Sequence, residues 1–130
     1  MRGARILVVD DEPEILRLVA RRLGRKGYEV TTASDSSQAL ALLQQDAFDI
    51  AVLDLMMPGM NGLDLAAQCR LQYPALKILM LTGSPVIEEI ERVGYASLRK
   101  PLENLQDLDA AIERLAAGGN AGADVTGHGG

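Results

Sequence analysis

Asp54 closes the apolar run Phe48-Asp49-Ile50-Ala51-Val52-Leu53, and Pro58, Gly59, Asn61 and Gly62 follow it in a loop-like stretch. A carboxylate at the carboxyl end of a buried strand stands where open α/β sheets place their ligands. The same arrangement recurs. Asp10-Asp11 follows the run Arg5 to Val9, Thr82 follows Lys77 to Leu81, and Lys100 follows Tyr95 to Leu98 with Arg99 between. In a parallel sheet these ends share one edge, so three carboxylates, a hydroxyl and an ammonium gather on one rim. Carboxylates that close together repel. A hard divalent cation relieves this, and an oxygen-only donor set suits Mg²⁺, which takes one or two protein carboxylates together with water and phosphate oxygens. Lys100 supplies a point charge for an anion, and Thr82 a hydroxyl. These are the parts needed to move a phosphoryl group onto a carboxylate. Ser84, in the loop after Thr82, is the other hydroxyl nearby.

The intervening segments must hold these residues in place. Pro13 suits the first turn of a helix, and Ile15, Leu16, Val19 and Leu23 recur at helical spacing. Gly24 and Gly27 close it. Tyr28 to Ala33 reads as a second, more polar strand. Ser36 or Ser37 is expected to cap the next helix, whose apolar positions are Ala39, Leu40, Leu42 and Leu43. Phe48 to Leu53 is the third strand. Asn61 starts a helix with Leu63, Leu65, Ala66 and Cys69 inward, ended before Pro74. After the fourth strand a short helix is expected over roughly 86–92, then a fifth strand from Tyr95 to Leu98 and a last helix from Leu102 to Ala117. Strands alternating with helices predict a parallel sheet covered on both faces through right-handed crossovers.

Length and composition bound the rest. The chain has 130 residues, 48% hydrophobic and 24% charged, which fits one globular domain. A net charge of -5 argues against direct contact with nucleic acid. The lone Cys69 cannot form an internal disulfide, so a reducing, cytoplasmic compartment is expected. Ile6 to Val9 is too short for the apolar core of a signal peptide, and no run reaches the 18 or so residues of a membrane span. From Gly118 onward the composition turns Gly-rich and aperiodic, predicting a domain over 1–117 and a flexible tail or start of a linker over 118–130.

Each residue also has an ordinary explanation. Asp10-Asp11 before Pro13 can serve as a helix cap. Asp54 can be an Asx-turn residue, Thr82-Gly83 a plain turn, and Lys100 a solvated lysine. Taken singly, those explanations are preferred. Taken together, four of five strand ends carrying complementary chemistry favour a site. Cys69 on an apolar helix stripe reads as core, and His128 as an inert tail residue.

The set Ile6-Leu7-Val8-Val9-Asp10-Asp11-Glu12-Pro13, Asp54-Leu55-Met56-Met57-Pro58-Gly59-Met60-Asn61-Gly62, Leu81-Thr82-Gly83 and Leu98-Arg99-Lys100-Pro101 strongly resembles the receiver domains of two-component response regulators. The resemblance covers about residues 4–117. It implies a flavodoxin-like five-stranded parallel sheet of order 2-1-3-4-5 with five helices, the fourth shortened. It implies that Asp54 accepts a phosphoryl group from a sensor histidine kinase or phosphotransfer protein. Asp11 would ligate Mg²⁺ directly, Asp10 through water, and Met56 through its backbone carbonyl, beside Asp54 itself. Thr82 would be the switch hydroxyl, Lys100 the phosphate contact, and Lys100–Pro101 a cis bond. Such a domain turns over no external metabolite. It switches a downstream protein or output domain, without inserting into a membrane.

Two departures stand out. Receivers usually carry an aromatic residue three positions before the lysine, and here that position is Ser97. The segment between Thr82 and Lys100 is about one helical turn shorter than usual. Tyr95, two residues or roughly 6.6 Å from Ser97 along a strand and on the same side, is expected to face a partner and not to act as a rotamer switch. Coupling would then run through Thr82 and the loop Gly83-Ser84-Pro85.

Other function classes fit less well. A small phosphatase with an aspartyl-phosphate intermediate typically carries a second acid two residues after the nucleophile, where this chain has Met56. A flavodoxin-like cofactor binder needs a phosphate-cradling loop after the first strand, and Asp10-Asp11-Glu12 would repel phosphate there. A receiver-like interaction domain that takes no phosphate has no need of the complete acidic, hydroxyl and lysine set.

Overall fold

A computed structural model of the chain describes residues 3–57, 61–83, 92, 94–100, 102 and 104–118. Strands β1 (Arg5–Val9), β2 (Glu29–Ala33), β3 (Ile50–Asp54), β4 (Lys77–Thr82) and β5 (Ala96–Arg99) form one parallel sheet of order β2-β1-β3-β4-β5. Among the described residues four helices flank it: α1 (Pro13–Arg25), α2 (Ser36–Gln45), α3 (Gly62–Gln72) and α4 (Leu105–Ala116). Residues 86–91 of the short helix expected over 86–92, the residue Pro101 of the expected cis bond, and 119–130 of the expected tail lie outside the described residues.

Side chains alternate across a strand, so each strand feeds two cores. On one face Leu7, Val9, Ala51, Leu53 and Met80 pack with Ala39 and Leu43 of α2 and with Leu65, Ala66 and Cys69 of α3. On the other, Ile6, Val8, Ile50, Val52, Leu79 and Leu81 meet Val19 and Leu23 of α1 and Leu108, Ile112 and Leu115 of α4. β3, at the centre, is buried throughout, which explains its unbroken apolar reading. The α1 and α4 layer is also tied electrostatically. The Arg22 guanidinium grips Asp109 from Nε at 3.0 Å and from Nη2 at 2.5 Å, and Lys26 adds an ion pair at 3.3 Å.

Two local readings need correction. Asp35, and not Ser36 or Ser37, caps α2: its carboxylate accepts the Gln38 N–H at 2.8 Å, while Ser36 is already helical and buried. Aspartate accepts from the third helical N–H as well as serine does, so the type of residue could not choose between neighbours. Tyr95 does not face a partner. It is 6% exposed, packs in the α2 and α3 core, and lies under the Arg70 guanidinium of α3 at 4.1 Å from the ring centre. The expectation reasoned only from the spacing of Tyr95 and Ser97 along the strand, and that spacing does not reveal that Arg70 reaches over from α3 onto the ring.

Candidate functional site

The carboxyl ends of the strands are locked to one another by backbone hydrogen bonds. Leu55 N–H donates to Leu81 O at 2.9 Å, Lys100 N–H to Thr82 O at 2.8 Å, and Asp10 N–H to Ala33 O at 3.2 Å. β3 runs one residue further than the apolar pattern suggests, so Asp54 sits inside the strand and pairs with Leu81. Its backbone is thereby held rigidly, unlike that of a loop residue. Gly62, at the start of α3, packs on it. A Cβ there would lie 2.3 Å from the Asp54 carbonyl oxygen, so this close approach admits only glycine. Asn61 caps α3, accepting the Asp64 N–H at 2.9 Å, and this places the helix start against the strand end.

Of the rim residues named from sequence, Asp10, Asp11, Asp54 and Lys100 bring their side chains together, and Thr82 stands at the adjoining end of β4, its carbonyl accepting the Lys100 N–H. Asp10 is fully buried, Asp54 is 3% exposed and Thr82 is fully buried. One carboxylate oxygen from each of Asp10, Asp11, Glu12 and Asp54 lies within 4.8 Å of the others. Lys100 Nζ is 2.8 Å from Asp10 Oδ2 and 3.4 Å from Asp54 Oδ1. The Asx-turn reading holds for Asp54, whose Oδ1 accepts the Met56 N–H at 3.3 Å. The helix-cap reading does not hold for Asp10-Asp11: Asp10 Oδ1 accepts the Glu12 N–H at 2.9 Å, but Glu12 itself stands at the N-cap of α1, which has no side-chain capping bond. Met56 itself is 67% exposed and reaches Asp54 through its backbone.

The electrostatics follow from this crowding. Burial, and then the neighbouring Asp10 charge, push the Asp54 carboxyl up to about 6; Lys100 and the Met56 N–H pull the other way. Burial works against the charged Lys100, but the Asp10 and Glu12 carboxylates outweigh it and hold the ammonium protonated well above its ordinary range. The site therefore holds more acid than its one lysine neutralises. Asp10 Oδ2 is buried and, despite the ion-pair distance to Lys100, has no partner in hydrogen-bonding geometry. An all-oxygen cluster that carries more negative charge than Lys100 offsets fits a divalent cation.

Glu12 was missed in the sequence. Its Oε2 accepts a hydrogen bond from Lys100 Nζ at 2.8 Å. The run Asp10-Asp11-Glu12 made a third acid visible, but nothing in it pointed to a residue 88 positions away. Ser97 pairs with Met80, and its Oγ is buried without a hydrogen-bond partner among the described residues.

The response regulator receiver domain model matches residues 6–113. The chain belongs to the response regulator receiver domain family. The receiver is 40% identical over 84 residues to the probable transcriptional regulatory protein TcrX of Mycobacterium tuberculosis, covering 65% of this chain and 36% of that protein. It is 43% identical over 89 residues to the alkaline phosphatase synthesis transcriptional regulatory protein PhoP of Bacillus subtilis, covering 68% of this chain and 36% of that protein. It thus spans about a third of either relative. Among solved structures it resembles the chemotaxis protein CheY4 of Vibrio cholerae, with a TM-score of 0.78, 37% identity, and coverage of 87% of this chain and 98% of that one. The response regulator TrrA of Thermotoga maritima in complex with Mg²⁺ and BeF gives a TM-score of 0.78 at 32% identity, covering 88% and 99%. The fold and two-component family implied by the motifs are those found, and the alternatives of a small aspartyl-phosphate phosphatase or a receiver-like interaction domain that takes no phosphate are not favoured. No helix among the described residues is long and apolar enough to cross a membrane.

Proposed function

We propose that Asp54 is the phosphoacceptor of this receiver, and that phosphorylation there switches binding to a downstream protein or output domain. The observation that carries the reading is a rigidly held strand-end carboxylate with Lys100 Nζ 3.4 Å from its Oδ1. An Asp54 oxygen bonds to phosphorus as the bond from phosphorus to the donor breaks; the donor is a phosphohistidine of a sensor kinase or phosphotransfer protein. Lys100 meets the negative charge brought in by the phosphoryl oxygens, and Thr82, fully buried at the end of β4, would supply the switch hydroxyl. Asp10, Asp11, Asp54 and the Met56 carbonyl would hold Mg²⁺, which when bound offsets charge on the phosphoryl oxygens. Met56 in place of a second acid supports a domain that catalyses only its own phosphorylation and dephosphorylation. A cytoplasmic location, with no direct nucleic-acid contact, suits the lone buried Cys69 and the acidic charge.

Incubation with a small phosphodonor and Mg²⁺ should add one acid-stable, base-labile phosphoryl group, lost in Asp54→Asn. Full labelling of that variant refutes the assignment. Asp11→Ala should lose most Mg²⁺ affinity, and normal labelling in the presence of chelator contradicts the metal reading. The receiver is proposed to occupy residues 1–117, with 118–130 a tail or linker. Truncation after Ala117 should then leave labelling unchanged.

A further inference from the structure

Lys100 serves three carboxylates at once. Its ammonium lies 2.8 Å from Asp10 Oδ2, 2.8 Å from Glu12 Oε2 and 3.4 Å from Asp54 Oδ1. The three acids are not equivalent. Asp10 and Asp54 are buried at strand ends, and each also accepts a backbone N–H on Oδ1. The Glu12 side chain is 55% exposed, sits at the N-cap position of α1, and makes no capping hydrogen bond there. It has the longest stem of the three and the smallest cost of return to water. Lys100 itself is 14% exposed, so its ammonium has little room to leave the site.

We propose that Glu12 is a positioning residue that competes with the incoming phosphoryl group for Lys100. The inference rests on Asp54 being the phosphoacceptor. While Asp54 is unmodified, Glu12 draws the ammonium toward the start of α1 and holds it there together with Asp10. A phosphoryl group on Asp54 carries up to about two negative charges. It outbids a single exposed carboxylate, so Lys100 turns to it and Glu12 is released to solvent. The release costs little, because exposed ion pairs are weak. Glu12 thus sets how readily the site accepts its charge, without touching the reacting atoms.

The test measures beryllofluoride affinity of the full chain at saturating Mg²⁺, and Mg²⁺ affinity separately, for wild type, Glu12→Gln and Glu12→Asp. Glu12→Gln removes the competing charge. Glu12→Asp keeps the charge but is one methylene too short to hold the 2.8 Å contact. Both variants should bind beryllofluoride more tightly than wild type, by up to about fivefold, with Mg²⁺ affinity within about twofold of wild type. Tightening in Glu12→Gln alone means a mere field effect and overturns the inference. So does a large loss of Mg²⁺ affinity, which makes Glu12 a metal ligand, or unchanged beryllofluoride affinity in both variants. Failure of the phosphoacceptor reading has a different signature: wild type and Asp54→Asn would then bind beryllofluoride equally.

Discussion

Gly62 and Asp54 touch so closely that a single added methyl group would stand 2.3 Å from the Asp54 carbonyl oxygen and 2.8 Å from the Leu55 Cα. The neighbours are backbone at the end of a central strand, and backbone there cannot yield locally. Gly62→Ala should therefore push α3 away from β3, at a cost of about 1–3 kcal/mol. It should also slow phosphorylation, because the Gly62 N–H to Leu55 O bond of 2.9 Å helps set the turn after Asp54. Urea unfolding and labelling kinetics of the variant check both. Unchanged stability would show that the helix start can shift freely.

Burial and the Asp10 charge push the Asp54 carboxyl above the usual carboxylate range. In protein free of divalent cation its carboxyl should titrate near 6, read from the side-chain carbon chemical shift. A folded pKa above the unfolded value means that the native state binds the proton more tightly. The ionised group is then a burden on folding above pH 6, and the burden lifts as pH falls from about 6 toward 3.8. Asp54→Asn should consequently stabilise the metal-free protein at pH 7 by about 1–3 kcal/mol, with little effect near pH 4. A variant less stable than wild type at pH 7 would contradict this.

Asp109 behaves in the opposite sense. Hydrogen bonds from Arg22, and further from Lys26, hold its carboxyl below the usual range. A depressed folded pKa contributes stability that is full above the unfolded value and is lost as pH falls through the folded one. Asp109→Asn should lower the melting temperature at pH 7 and show a smaller deficit in strong acid. An equal deficit at every pH would point to packing and not charge.

Tyr95 and Arg70 join β5 to α3. Tyr95→Ala empties a core position, so a loss of about 3–5 kcal/mol is expected. Arg70→Ala removes the cation above the ring and should cost less, about 0.5–1 kcal/mol for that contact. Tyr95→Phe should be nearly neutral. Denaturant midpoints for the three variants test the order, and a Tyr95→Ala protein as stable as wild type would restore the partner-facing reading.

Much of this receiver was legible in the chain. Apolar runs of strand length alternating with helical periodicity imply a parallel sheet, and a parallel sheet brings every strand's carboxyl end to one edge. That rule alone places Asp10, Asp11, Asp54, Thr82 and Lys100 together, because residue type and position along a strand are local properties. The tertiary structure decided what is not local. Lys100 meets Glu12 across 88 positions, and Arg22 meets Asp109 across 87. Arg70 covers Tyr95, and Gly62 lets α3 sit on the end of β3. Each depends on the separation and tilt of packed helices and on the reach of long side chains. Periodicity records which face of an element is apolar, but not which side chain of another element lies across from it.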